Sequence, residues 1–230
     1  MRYLFLSDLH LGNPLFECTN EIISLLQKQD FDELILLGDI IDSWQGEIVD
    51  IFTDNERLIG EINSAAMYKP TTYVIGNHDP DIEDIKRLFP SVDICEKYTI
   101  DKGIILHGHE FDDLILKYSF FAKVWHYLSC FTERVFRFSL KTWITELFYS
   151  IAEKRDKKYY GDLVTEVGER IVEKYRKEYE FAVAGHTHYP VIENLSEWNF
   201  IYVNCGDLIH NFTYVTYDSE TKNFELHKIK

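Results

Sequence analysis

Five short apolar runs, each closed by glycine or a polar residue and then by a metal-binding or acid-base side chain, limit what this chain can fold into. They read Leu4-Phe5-Leu6-Ser7-Asp8-Leu9-His10, Leu34-Ile35-Leu36-Leu37-Gly38-Asp39, Tyr73-Val74-Ile75-Gly76-Asn77-His78-Asp79, Ile104-Ile105-Leu106-His107-Gly108-His109 and Phe181-Ala182-Val183-Ala184-Gly185-His186-Thr187-His188. Runs this short, bounded by glycine and polar residues, read as buried strands. Residues at the ends of separate strands can converge where open α/β sheets place their sites. The result is one constellation: Asp8, His10, Asp39, Asn77, His78, His107, His186 and His188.

The bulk properties narrow the classes. At 230 residues and 46% hydrophobic, the chain can fill one core and carry an inserted subdomain. A formal net charge of −15 argues against duplex DNA or RNA as a partner, because phosphate backbones need a basic footprint. Cys18, Cys95, Cys130 and Cys205 are widely spaced, with no Cys-x-x-Cys pair; they read as buried thiols in a reducing cytosol. Asp8 follows Met1 so closely that removal of a signal peptide would destroy the first motif. No long uncharged apolar stretch suits a spanning helix. The expected location is cytoplasmic, with peripheral contact at the inner face of the membrane as an option.

Strand and helix patterns alternate through the first half, as in βαβ units. Helices are expected over 19–29, with Thr19 as N-cap, over 52–67, and over 82–89, ended by Pro90. Between Asp113 and Glu180 no strand is convincing, and two or three helices are expected. Strands return at 200–204, 212–217 and 223–229, the last two joined by a polar hairpin turn. The 114–177 segment carries 13 Lys and Arg against 8 Asp and Glu, while the remainder has 11 against 31. Thirteen aromatic residues lie between Tyr118 and Tyr160. Phe121, Val124, Trp125 and Leu128 share one helical face. Residues 114–180 are therefore expected as a helical cap inserted in a single domain of residues 1–230. Its aromatics either dock it on the core or form a lid over an apolar substrate.

The constellation has the makings of a two-metal site, in which ions roughly 3.5–4 Å apart clamp a phosphoryl group and activate water. Asp39, after Gly38, is the natural bridging carboxylate. Asp8 and His10 are two apart and on a continuing strand would face the same way; His186 and His188 repeat that spacing. Asn77 offers a neutral oxygen to a second ion, and His107 completes its set. Imidazole mixed with carboxylate suits manganese, iron, zinc or cobalt better than magnesium or calcium.

The ordered motifs Asp-x-His, Gly-Asp-x-x-Asp, Gly-Asn-His-Asp, His-Gly-His and Gly-His-x-His resemble the calcineurin-like metallophosphoesterase superfamily across residues 8–188. The resemblance implies an α/β fold, a four-layer α-β-β-α sandwich with a dinuclear centre at the strand ends. Asp8, His10, Asp39 and His188 would hold one divalent ion, and Asp39, Asn77, His107 and His186 the other, with water or hydroxide between them. His78 would contact phosphate and assist the leaving group, and Asp42 and Asp79 would stand behind the ligands. A carboxylate there has its own rationale, since it fixes the tautomer of a neighbouring imidazole.

Three features narrow the substrate: Trp44 at the mouth, the helical insert between the fourth and fifth motifs, and the tail Tyr202-Val203-Asn204-Cys205-Gly206-Asp207. This layout is similar to the UDP-2,3-diacylglucosamine hydrolases of lipid A biosynthesis. That implies a small phosphorylated substrate such as a lipidated nucleotide sugar, cleaved at its pyrophosphate. One departure stands out: those enzymes typically carry His-Gly-Asp where this chain has His107-Gly108-His109. A cyclic-nucleotide or generic small-molecule phosphodiesterase therefore remains the alternative.

Overall fold

A computed structural model describes residues 1–112 and 157–230. Two sheets are stacked face to face. The first joins β1 (Arg2–Leu6), β2 (Glu33–Leu37), β3 (Thr71–Val74), β4 (Asp93–Cys95), β10 (Thr213–Asp218) and β11 (Asn223–Lys228), in the order β11-β10-β1-β2-β3-β4. The second joins β5 (Lys97–Ile100), β6 (Gly103–Leu106), β7 (Phe181–Ala184), β8 (Val191–Leu195) and β9 (Phe200–Asn204), in the order β5-β6-β7-β9-β8. β1 through β4 run parallel, as do β6, β7 and β9, so the chemistry-bearing ends point the same way within each sheet.

Period-two alternation within fully apolar strands builds the layers. Leu4, Leu6, Leu34, Leu36 and Tyr73 point outward and pack with Ile22, Leu26, Leu58, Ile62 and Ile85 of three helices. Those helices are α1 (Thr19–Lys28), α2 (Ile48–Tyr68) and α3 (Ile82–Leu88). Tyr3, Phe5, Ile35, Leu37 and Val74 point inward against Ile105, Val183 and Val203 of the second sheet. Ile104, Leu106, Ala182, Ala184 and Tyr202 face the other way, onto Val164, Val167, Ile171 and Val172 of α4 (Lys157–Tyr175). Each fully buried Val, Leu, Ile or Phe among them contributes about 1.5–3 kcal/mol. The expected α-β-β-α sandwich is present.

Several local expectations change. α1 starts after Cys18, and no side chain caps it; Thr19 is inside the helix rather than its N-cap. α2 begins at Ile48, earlier than expected, and bends at Asn55, whose φ/ψ of −118°/16° is not helical. β4, β5 and β8 were not expected. They are short or largely exposed edge strands, so they lack the long apolar run that marks a buried one. Most of the 114–180 cap, including the Phe121–Leu128 face and Cys130, lies outside the described residues. Its described helix, α4, packs as the fourth layer. Among the described residues no helix is long and apolar enough to cross a membrane.

Candidate metal centre

β1 stops at Leu6, and the chain beyond runs beside the segment that follows β2. The backbone N–H of Asp8 donates to Gly38 O (3.1 Å), that of His10 to Asp39 O (2.9 Å), and that of Leu11 to Ile40 O (2.9 Å). Asp8 and His10 therefore do not share a face by lying on a continuing strand. They sit on a loop with φ of 52° and 49°, and Asp39, His186 and His188 are likewise at 51°, 67° and 59°. A left-handed backbone costs an L-residue of order 1–3 kcal/mol and persists only where surrounding contacts enforce it. Five residues of the sequence-derived constellation carry that cost. Gly38 (φ 77°) belongs to the same turn, and a Cβ there would strike the His107 ring. Its missing side chain thus makes room for an imidazole from the other sheet.

Among the described residues the side chains gather in three groups that could hold a metal ion; His10, Asp42 and His78 form one, and the other two are joined by one carboxylate. In the first of these two, Asp8 Oδ1 lies 3.1 Å from His188 Nε2 and 3.9 Å from His10 Nε2. The two ring nitrogens are themselves 3.3 Å apart. In the second, Asp39 meets His107 and His186. Asp39 Oδ2 is 3.2 Å from His107 Nε2 and 3.8 Å from His10 Nε2, so one oxygen touches both groups. Asp39 Oδ1 accepts from the backbone N–H of His78 (2.7 Å), which holds the Asn77–His78 turn against it. Both polar atoms of the Asn77 carboxamide are buried without a hydrogen bond among the described residues. A buried amide leaves such atoms unpaired only at a cost of about 1–3 kcal/mol each, and a cation would satisfy the oxygen.

Each imidazole is held from behind, which fixes the nitrogen it presents. His10 Nδ1 faces Asp42 Oδ2 (3.2 Å), His107 Nδ1 faces Leu37 O (3.1 Å), and His188 Nδ1 faces Asp207 Oδ2 (3.3 Å). All three therefore turn Nε2 to the centre. His186 is reversed: Nε2 faces Asp112 Oδ2 (3.0 Å), leaving Nδ1 for the second group. Asp42 also holds His78, through Nδ1 at 3.1 Å. Asp79 does something different from the imidazole-orienting role expected of it. It accepts from the backbone N–H groups of Asp39, Ile40, Ile41 and Gly76, at 2.7–3.0 Å, and from the Tyr73 hydroxyl (2.6 Å). It fixes the strained turn rather than a ring.

Burial disfavours charge on Asp8, Asp39, His107 and His188, and their pairing overcomes it. Against that penalty His188 and His107 hold the Asp8 carboxyl below its usual range; His107, His78 and His10 hold Asp39 well below. Despite burial, Asp39 and Asp8 lift His107 to about 9, and Asp8 and Asp207 raise His188 well above the ordinary imidazole range. Burial, with His107 adding repulsion, lowers His186 although Asp112 opposes it. Burial and His107 push His109 down to about 4. The arrangement concentrates carboxylates and imidazole lone pairs where cations are favoured, and the residues fit a divalent ion.

The sequence profile of the family described as calcineurin-like phosphoesterase matches residues 1–190. The chain belongs to that family. This calcineurin-like phosphoesterase is therefore an enzyme of metal-dependent phosphoester hydrolysis. It is 33% identical to the UDP-2,3-diacylglucosamine hydrolase of Shewanella halifaxensis over 132 residues, a match spanning 54% of each chain, about half the relative's length. It is 26% identical to the enzyme of the same name from Coxiella burnetii over 219 residues, 84% of this chain and 83% of that one. A solved archaeal phosphodiesterase shares the fold, with a TM-score of 0.51 at 15% identity over 99% of both chains.

Two residues of this phosphoesterase escaped the sequence reading as site residues. Asp112 follows His107 by five positions in a 3-10 turn with no strand end to mark it. Asp207 did carry a signal: it closes a sixth apolar run, Tyr202-Val203-Asn204-Cys205-Gly206-Asp207, after β9.

Proposed function

We propose that the chain uses a dinuclear centre to hydrolyse the phosphoester or pyrophosphate bond of a small phosphorylated substrate, with a lipidated nucleotide sugar such as UDP-2,3-diacylglucosamine as the first candidate. The observation that carries the two-ion reading is Asp39 Oδ2, which lies within 3.2 Å of His107 and 3.8 Å of His10. Asp8, His10, Asp39 and His188 hold one ion in this reading, and Asp39, Asn77, His107 and His186 the other. Manganese is the first choice among the metals such donors favour. Bound divalent ions supply Lewis acidity toward a phosphoryl oxygen and make water a nucleophile near neutral pH.

The chain's own residues do the rest. Asp42 accepts from His78 Nδ1–H, and although burial opposes it, Asp39 and Asp42 raise the His78 pKa, so the protonated ring also carries an Nε2–H that can donate to a phosphoryl oxygen or the leaving oxygen. Trp44 lies over the His78 ring, centroids 4.0 Å apart, and keeps it oriented while remaining 42% exposed at the mouth. Asp42 and Asp79 hold rings and turn in place before substrate arrives.

The relatives' printed names and the basic, aromatic composition of 114–177 support the lipidated substrate. In this reading the 114–180 insert stays within one domain, its helix α4 packing on the second sheet and the remainder acting as a cap toward acyl chains or the cytoplasmic membrane face. His109, where the resemblance calls for Asp, favours the second reading, a small soluble phosphodiester. Hydrolysis of bis-p-nitrophenyl phosphate with added Mn²⁺ tests the enzyme reading, and no turnover with any divalent ion would defeat it. Cleavage of UDP-2,3-diacylglucosamine but not of cyclic nucleotides supports the first substrate; the converse supports the second.

A further inference from the structure

Asp207 lies beyond residue 190, where the family match ends, and nothing in the five motifs assigns it a role. It is fully buried, and its two oxygens divide their work. Oδ1 accepts from the backbone N–H groups of Ile209 (3.1 Å), His210 (2.7 Å) and Asn211 (2.8 Å). Oδ2 faces His188 Nδ1 at 3.3 Å and accepts from Asn211 Nδ2 at 3.2 Å. The same Asn211 amide donates to the carbonyl of His188 (2.6 Å), so residue 188 is gripped at ring and backbone together. The loop is tied to the other sheet as well, through Leu208 N–H to Asp8 O (3.2 Å).

The carboxylate has no proton to donate, so the hydrogen between it and His188 must belong to Nδ1. That leaves Nε2, which faces Asp8 Oδ1 (3.1 Å) and His10 Nε2 (3.3 Å), as the nitrogen whose lone pair a cation can take. We propose that Asp207 is a positioning residue that selects the Nδ1–H tautomer of His188 and thereby makes its Nε2 a ligand of one of the two ions. The inference rests on reading Asp8, His10 and His188 as ligands of the same ion.

Asp207→Asn tests it with almost no change in shape. The three backbone donors keep the amide oxygen at the Oδ1 position, so the amide NH₂ takes the Oδ2 position and presents a donor to Nδ1. His188 must then carry its hydrogen on Nε2, the wrong nitrogen for a metal. Calorimetric titration of metal-free protein with Mn²⁺ should show two ions in the wild type. In the variant one ion should bind with unchanged affinity and the other about 10–100-fold more weakly. A purely structural role would weaken both ions alike, and that result, or two ions bound as in the wild type, overturns the inference while leaving the two-ion reading intact. A wild type that binds one ion overturns both.

The variant's amide NH₂ also meets the Asn211 NH₂, so a second test that does not depend on the variant's folding is needed. The wild type alone then decides: two-bond ¹H–¹⁵N histidine spectra of the zinc-loaded protein should show His188 protonated on Nδ1. Protonation on Nε2 overturns the inference.

Discussion

The six-stranded sheet brings Asp8, His10, Asp39, Asn77 and His78 to the site, whereas the five-stranded sheet brings His107, His186 and His188 from its strand ends. The carboxylates of the two groups joined by Asp39 come from one sheet, and most of their imidazoles from the other. The groups Asp8, His10, His188 and Asp39, His107, His186 each draw on both sheets, so these two form only where the strand-end loops meet. Their supports differ too. On the first sheet, Asp42 and Asp79 come from the motifs themselves and hold both rings and turn. On the second, support is borrowed from further away: Leu37 O for His107, Asp112 for His186 and Asp207 for His188.

The largest effect should follow from cutting the carboxylate that joins the two groups. Asp39→Asn keeps the shape and tolerates φ of 51° but removes the Asp39 negative charge that faces His107 and His10. Turnover should fall about 10³-fold or more, the equivalent of roughly 4 kcal/mol of transition-state stabilisation, with loss of bound metal by elemental analysis. Full metal content in the variant would remove Asp39 from the bridging role. His78→Ala should separate chemistry from binding on the first sheet. Turnover should drop about 10²–10⁴-fold with metal content unchanged, and equal turnover would exclude His78 from the reaction.

Gly185→Ala probes the seam. A Cβ at Gly185, on the second sheet, would strike Ser7 Oγ and crowd Asp8 Oδ2 on the first. Overpacking of this kind costs about 1–3 kcal/mol, and metal affinity should fall along with the melting temperature. Gly60→Ala is the control: it is exposed on α2 with nothing near its Cβ, and it should gain about 0.5–1 kcal/mol from helix propensity. Equal melting temperatures for the two variants would mean that the sheets do not meet at Gly185.

The smallest effect lies at the other end of β2, far from the ligands. Burial raises the carboxyl pKa of Glu33, although Tyr98 and Thr72 hydrogen-bond to it. A carboxyl raised in the folded state contributes stability only while protonated and loses it as pH rises through the folded value. Glu33→Gln should therefore be more stable than wild type at neutral pH, with the gap closing as the solution is acidified. Urea unfolding at two pH values measures this, and a gap that widens in acid would contradict it.

The same contrast explains what could be read from sequence. Strand ends followed by Asp or His are local patterns, so the residues that gather at the site and the layered fold were legible at once. The exposed edge strands β4, β5 and β8 lack any such pattern. The left-handed turns were hidden because Asp8 and His10 look like neighbours on a strand until their backbone N–H groups are seen to bond the β2 loop. Asp112 and Asp207 support rings 74 and 19 residues away, a separation at which residue spacing says nothing about contact. Asp207 nonetheless ends a sixth strand run, and applying the strand-end rule once more finds it.

The central claim is that one carboxylate joins two ion sites across two sheets. Anomalous diffraction at the manganese edge, from crystals grown with Mn²⁺, tests it most directly. Two peaks flanking Asp39 Oδ2 are predicted, one against Asp8, His10 and His188 and the other against Asn77, His107 and His186. A single peak held by one of these groups would contradict it.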